Sequence, residues 1–400
     1  MRLKTLVAGG VTMSWMLLAQ PALGATVRVT RPYDSYIYPH VIYEAAVGET
    51  NDMSVVGAAG GVVTITDLNA AITPETPECA SISANAVRCE VGAESRPYIR
   101  VLTKDGADSV DVTAVGEFRY AAFVDGGADS DTLSGTGGMT LFGEAGADRL
   151  IGRAGAQQLR GGAGADSLDG GPGGDELQGG AGRDVIVGGS GYDRASYRDH
   201  TAPVRISLDG QANDGALGEN DWIDADVESA EGSKGPTLFI GNPSSNWFYG
   251  VSRAGDVVRM GAGDDFVLAG PGADVLSGEA GDDYLGGEYG RDLLLGGPGD
   301  DGLEGFMGAD VIRGGRGNDS LYGGWGADDL RGGSGNDYLR GQSHGDTLRG
   351  GPGYDRMFGN DGDDVLYARD GRRDRVDGDL DDDRAHVDTF DRLFQVEVLF

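Results

Sequence analysis

GGRGNDSLY at residues 314–322 is flanked by GFMGADVIR (305–313), GGWGADDLR (323–331) and GGSGNDYLR (332–340). All four set glycine at the first place, aspartate at the sixth and a large aliphatic residue at the eighth. Carried outward in both directions, the frame divides residues 260–367 into twelve nonapeptides without remainder. The sixth place holds Asp265, Asp274, Asp283, Asp292, Asp301, Asp310, Asp319, Asp328, Asp337, Asp346, Asp355 and Asp364. The eighth holds Val267, Leu276, Leu285, Leu294, Leu303, Ile312, Leu321, Leu330, Leu339, Leu348, Met357 and Leu366. Glycine fills the fourth place in eleven of the twelve, His344 being the exception. Each unit therefore opens on a stretch that turns readily at positive φ and closes on a short strand with one inward side chain.

A second block keeps its own frame over residues 143–196, six units with Asp148, Asp166, Asp175, Asp184 and Asp193 at the sixth place. Gln157 breaks that column once, and Ala195 weakens the last apolar position. Composition alone, with 73 glycines and a formal charge of −33, would also suit a disordered acidic linker. Such a linker has no reason to hold aliphatic residues in register through twelve units.

The pattern G-G-x-G-x-D-x-U-x, with U large and apolar, resembles the repeats-in-toxin (RTX, haemolysin-type) calcium-binding nonapeptide family. The resemblance covers 162 of 400 residues. It implies an all-β protein: two parallel β-roll (β-helix) solenoid blocks beside a small N-terminal β domain. In that family two units make one coil, which here implies two aspartate ladders at a spacing of eighteen residues. One would run through Asp265, Asp283, Asp301, Asp319, Asp337 and Asp355, the other through Asp274, Asp292, Asp310, Asp328, Asp346 and Asp364. The eighth-place side chains would fill a thin core between them. The resemblance also assigns these carboxylates, with those of the first block, as calcium ligands.

Electrostatics points to the same ion. Neighbouring coils lie about 4.8 Å apart, and two carboxylates at about 4 Å repel by roughly 4 kcal/mol at an effective dielectric near 20. A bare, ionised ladder would not hold together. Ca²⁺ takes roughly six to eight oxygen ligands, and stacked turns offer carboxylates together with glycine-rich backbone carbonyls. Mg²⁺ demands a tight octahedron. Transition metals want His or Cys, of which the twelve-unit block has only His344. Multiple calcium ions are the expected cofactor, with folding of the rolls coupled to their binding.

Residues 260–367 carry 21 acidic and 7 basic side chains. This excess suits cations and argues against nucleic acid as a partner. The sequence reads as a signal peptide over 1–25, a β-rich domain over 26–123, a first roll over 124–196, a bridging insert over 197–249, a second roll over 250–367 and a capping segment over 368–400. Arg2 and Lys4, then an apolar stretch and PALGA, give the first of these. They place the mature protein outside the cell, and no later stretch is long and apolar enough to span a bilayer. Cys79 and Cys89, the only cysteines, are expected to form a disulfide. A β-rich start, a Cys pair and then repeats also look like the exported calcium-binding repeat proteins common in actinobacteria. In the insert, Pro236 and Thr237 stand where the family keeps Asp. Beyond Tyr367 the frame slips by one residue.

Three signatures tempt without support. Gly341–Gly345 reads G-x-S-x-G around Ser343, but a nucleophile elbow requires a helix after it and nonapeptides flank it on both sides. Gly297–Gly302 spells G-x-G-x-x-G under the same objection. Asp377, Asp379, Asp381 and Asp388 mimic an EF-hand loop without its glycine. None of His40, His200, His344 or His386 begins H-E-x-x-H. The expected function is therefore a secreted, non-enzymatic calcium-binding roll in a structural, adhesive or matrix role, its other partner an extracellular surface or protein not named by the sequence. The alternative is a calcium-dependent exported enzyme or toxin whose chemistry lies in the N-terminal domain.

Overall fold

The computed structural model describes residues 24–30, 40–58, 62–90, 98–114 and 122–399, with a two-residue strand pair, Val7–Ala8 against Val11–Thr12. The rest of residues 1–23, where a signal peptide is expected, lies outside these residues. No helix occurs among the described residues, so none is long and apolar enough to cross a membrane.

Each nonapeptide builds half a coil. The strand runs from its seventh place to the third place of the next unit, as in Val311–Arg316, Ser320–Trp325, Asp329–Ser334 and Tyr338–Ser343. The fourth to sixth places turn the corner. Strands pair in parallel with partners eighteen residues away, Val311 with Asp329 and Ser320 with Tyr338, so consecutive half-coils alternate between two sheets. Side chains alternate across a strand, which sends the eighth and first places inward. The eighth-place residues from Val267 to Leu366 are all fully buried, each contributing about 1.5–3 kcal/mol through burial. The next inward place is usually glycine, and this leaves room for something other than a side chain of its own.

The two repeat blocks are stretches of one solenoid. On one sheet Arg194–Ser196, Ser229–Glu231, Trp247–Tyr249 and Phe266–Leu268 pair in parallel straight through the insert. On the other, Val204–Ser207, Ala212–Ala216 and Asp221–Ile223 form an antiparallel wedge. Its outer strands join in parallel to Val185–Gly191 and Thr237–Ile240. The insert has its own buried aromatics, Tyr197, Phe239 and Phe248.

The N-terminal β region grows from the same two sheets. His40–Glu44, Tyr98–Leu102 and Ala122–Ala128 stack in parallel on one, and Asp52–Ala58, Ser109–Ala114 and Thr132–Gly135 on the other. Antiparallel strands Ala25–Thr30, Val62–Asp67, Ala86–Glu90 and Cys79–Ser83 close that end. There Cys79 and Cys89 face each other across two strands and form the disulfide. At the far end Arg375–Leu380, Arg384–Val387, Arg392–Phe394 and Val398–Leu399 continue the parallel ladders. The extra residue after Tyr367 lengthens that coil, so Met357 pairs with Val376, nineteen positions on.

Candidate metal centre

Every sixth-place aspartate sits at a corner of the solenoid with its carboxyl folded inward. The backbone N–H of Asp265 donates to Oδ1 of Asp283 at 2.9 Å, and the same bond repeats from Asp283 to Asp301, Asp301 to Asp319, Asp319 to Asp337 and Asp337 to Asp355. The opposite corner repeats it through Asp274, Asp292, Asp310, Asp328, Asp346 and Asp364. In the first block Asp148 bonds to Asp166 and Asp166 to Asp184, while Gln157, Asp175 and Asp193 form the second column. Gln157 thus keeps the place of an aspartate, with its Nε2 donating to the Gly137 carbonyl at 2.7 Å.

The other carboxylate oxygen explains the glycines. A Cβ on Gly314, at the first place of its unit, would lie 2.2 Å from Oδ2 of Asp319. The first glycine is a cradle for the carboxyl. The fourth serves the turn between coils, because Gly317 takes φ +132° and a Cβ there would meet the Gly299 carbonyl oxygen at 1.8 Å. His344, the one non-glycine at that place, holds φ +81° and anchors its ring on the Ser343 carbonyl at 2.7 Å. Ser343 ends a strand, and the turn after it leads into another strand, Thr347–Arg349.

Oδ2 is buried and has no hydrogen-bond partner in any of the seventeen sixth-place aspartates named above. Burial pushes their carboxyls upward: Asp283 and Asp301 to about 6, Asp310 and Asp319 to about 7, Asp346 to about 8. The backbone N–H donated to Oδ1 opposes this shift. For Asp346 the charges of Asp328 and Asp364 add to it.

The same geometry holds residues that the nonapeptide count did not assign. Asp108, Asp131, Asp256, Asp374 and Asp383 occupy ladder places with the same unpartnered Oδ2. Their signal was present: GGADSDTLS at 126–134 and TKDGADSVD at 103–111 have Asp at the sixth and an apolar residue at the eighth place. Asp374 and Asp383 emerge once the frame is advanced by one. Across the insert, Glu228 and Asn246 continue one column and Thr237 begins the other.

Among the described residues no three His, Cys, Asp or Glu side chains converge on one point. The ladder supplies one carboxyl per corner per coil, so a cation held there would complete its shell with main-chain carbonyls. In donor chemistry the set fits a hard dication: only oxygens, each buried carboxyl carrying an unsatisfied atom, and no thiolate or imidazole within the columns.

A parallel β-solenoid with two carboxylate ladders defines the class. Within it, the family model for the RTX calcium-binding nonapeptide repeat, built on four copies, matches residues 140–168, 160–195, 260–294, 304–339 and 340–373. The chain thus carries RTX calcium-binding nonapeptide repeats. No curated protein matches it.

Proposed function

We propose that this chain is an exported protein whose solenoid orders when calcium binds the ladder aspartates, and that the ordered roll acts outside the cell in a structural, adhesive or matrix role without catalysis. The observation that carries the reading is the buried, unpartnered Oδ2 repeated along both corners. An unsatisfied buried acceptor costs about 1–3 kcal/mol, more when charged, and a dication removes that cost at every coil. The seventeen sixth-place aspartates from Asp148 to Asp364 are the proposed ligands, with Asp131, Asp256, Asp374 and Asp383 added by position. The pattern at residues 1–25 supports export, and extracellular calcium modules bind at about 10⁻⁴–10⁻³ M. Sites of that strength would stay empty in a low-calcium interior and fill outside.

Calcium titrated into chelator-treated protein, followed by circular dichroism, tests this directly. A cooperative gain of β signal in that concentration range is expected. A flat response sinks the proposal.

A further inference from the structure

We infer that the C-terminal end of the solenoid carries a binding site for an acidic polysaccharide. The site faces outward on the sheet that holds Tyr338–Ser343 and Arg356–Asp361. Strand register stacks Arg356, Arg375 and Arg392 on three consecutive coils, about 4.8 Å from one to the next. With Arg373 they line a concavity of about 480 Å³ whose remaining walls are Tyr354, Phe394 and the ladder residues Asp355 and Asp374.

The arginines are short of counter-charge. Arg375 pairs with Asp377 at 3.0 Å, and its guanidinium lies 5.0 Å from the Phe358 ring centroid and 4.8 Å from that of Phe394. Arg356, Arg373 and Arg392 form no ion pair or side-chain hydrogen bond among the described residues. Like charges stacked in register destabilise a sheet. In a chain of formal charge −33, a column of three arginines of which only Arg375 has a carboxylate partner is unusual, and an oxyanion would relieve it with bidentate hydrogen bonds.

The ligand's charges must be sparse. Double-stranded DNA carries one charge per roughly 1.7 Å, and beyond this short column it would meet an acidic solenoid. A sugar polymer spaces its anions by neutral rings, and Tyr354 and Phe394, 57% and 44% exposed, offer apolar ring surface beside the Arg372 and Arg375 guanidiniums that lie over them.

The test is calorimetric titration of full-length protein in calcium-containing buffer with dextran sulfate, carboxymethyl-dextran and unmodified dextran. Binding of one or both charged dextrans, and not the neutral one, supports the site, and their order tells whether sulfate or carboxylate is preferred. The double variant Arg356→Gln/Arg392→Gln should weaken that binding by roughly tenfold or more. Arg313→Gln, on the other sheet, should leave it unchanged. These positions are exposed, so the variants are expected to fold, and an unaltered circular dichroism spectrum verifies it. The inference is overturned if neither charged dextran binds, if Arg313→Gln weakens binding as much as the double variant, or if a DNA duplex binds more tightly than both dextrans.

Discussion

The hydroxyl of Tyr197 donates to Oδ2 of Asp221 at 2.9 Å, so the inner carboxylate oxygen that lies unpartnered along the repeat blocks is satisfied here by a phenol. Asp221 stands in the ladder, its Oδ1 accepting the Asp184 N–H at 2.9 Å. The insert thus closes the first column with a proton donor where a repeat would follow. Tyr197→Phe leaves the oxygen stranded in a fully buried place and should cost about 1–3 kcal/mol. Thermal unfolding at saturating calcium should show the loss, and an unchanged midpoint would mean that water or metal reaches Asp221.

Replacing Asp319 with Asn separates the turn from the metal. An amide oxygen can still accept the Asp301 N–H that Oδ1 accepts at 2.9 Å, but the charge is gone. Calorimetry should report weaker or fewer calcium sites, while the β signal at acidic pH without metal stays near wild type. Loss of both together would show that the carboxylate serves the turn alone.

The glycines divide by cause, and two alanine variants read the division. Gly314→Ala would thrust a methyl to 2.2 Å from Asp319 Oδ2 and should destabilise by about 1–3 kcal/mol or more, as overpacking does. Gly302→Ala meets nothing nearer than 3.5 Å, at a seventh place without positive φ, and should stabilise by about 0.4–1 kcal/mol through the unfolded chain. Calcium-saturated denaturant unfolding of the pair checks both signs.

The repeats made most of the fold legible. Leu321 and Asp319 sit two places apart in one unit, and that spacing alone puts one in the core and the other at a corner. What the spacing does not reveal is direction. The linear sequence gives no sign that Asp319 turns under Gly314 and caps the Asp301 N–H, because the room comes from a glycine five places earlier and the donor from a different coil. The insert was opaque for a related reason. Asp221 and Glu228 follow Asp184 and Asp193 at 37 and 35 residues, distances set by an antiparallel wedge that no nine-residue count anticipates. At the N-terminus, alternating stretches such as VVTITD reveal strands, but parallel docking of Asp52–Ala58 on Ser109–Ala114 depends on contacts 57 residues apart.

Acidity should substitute in part for calcium. Ladder carboxyls are raised in the folded state, Asp283 to about 6, Asp319 to about 7 and Asp346 to about 8, against roughly 3.9 in an unfolded chain. A carboxyl with a raised folded pKa favours folding in its protonated form. Its contribution is fully present below the unfolded value and is lost as pH climbs through the folded one. Chelator-treated protein should therefore hold more β signal near pH 5 than at pH 8, with the decline spread over about pH 4 to 8. Calcium binds the ionised form, so its uptake near neutrality must expel protons. Calorimetric titrations in two buffers of different ionisation enthalpy will measure that release. Identical heats in both buffers, or a metal-free fold that strengthens as pH rises, would show that the ladder carboxyls are already ionised before the ion arrives.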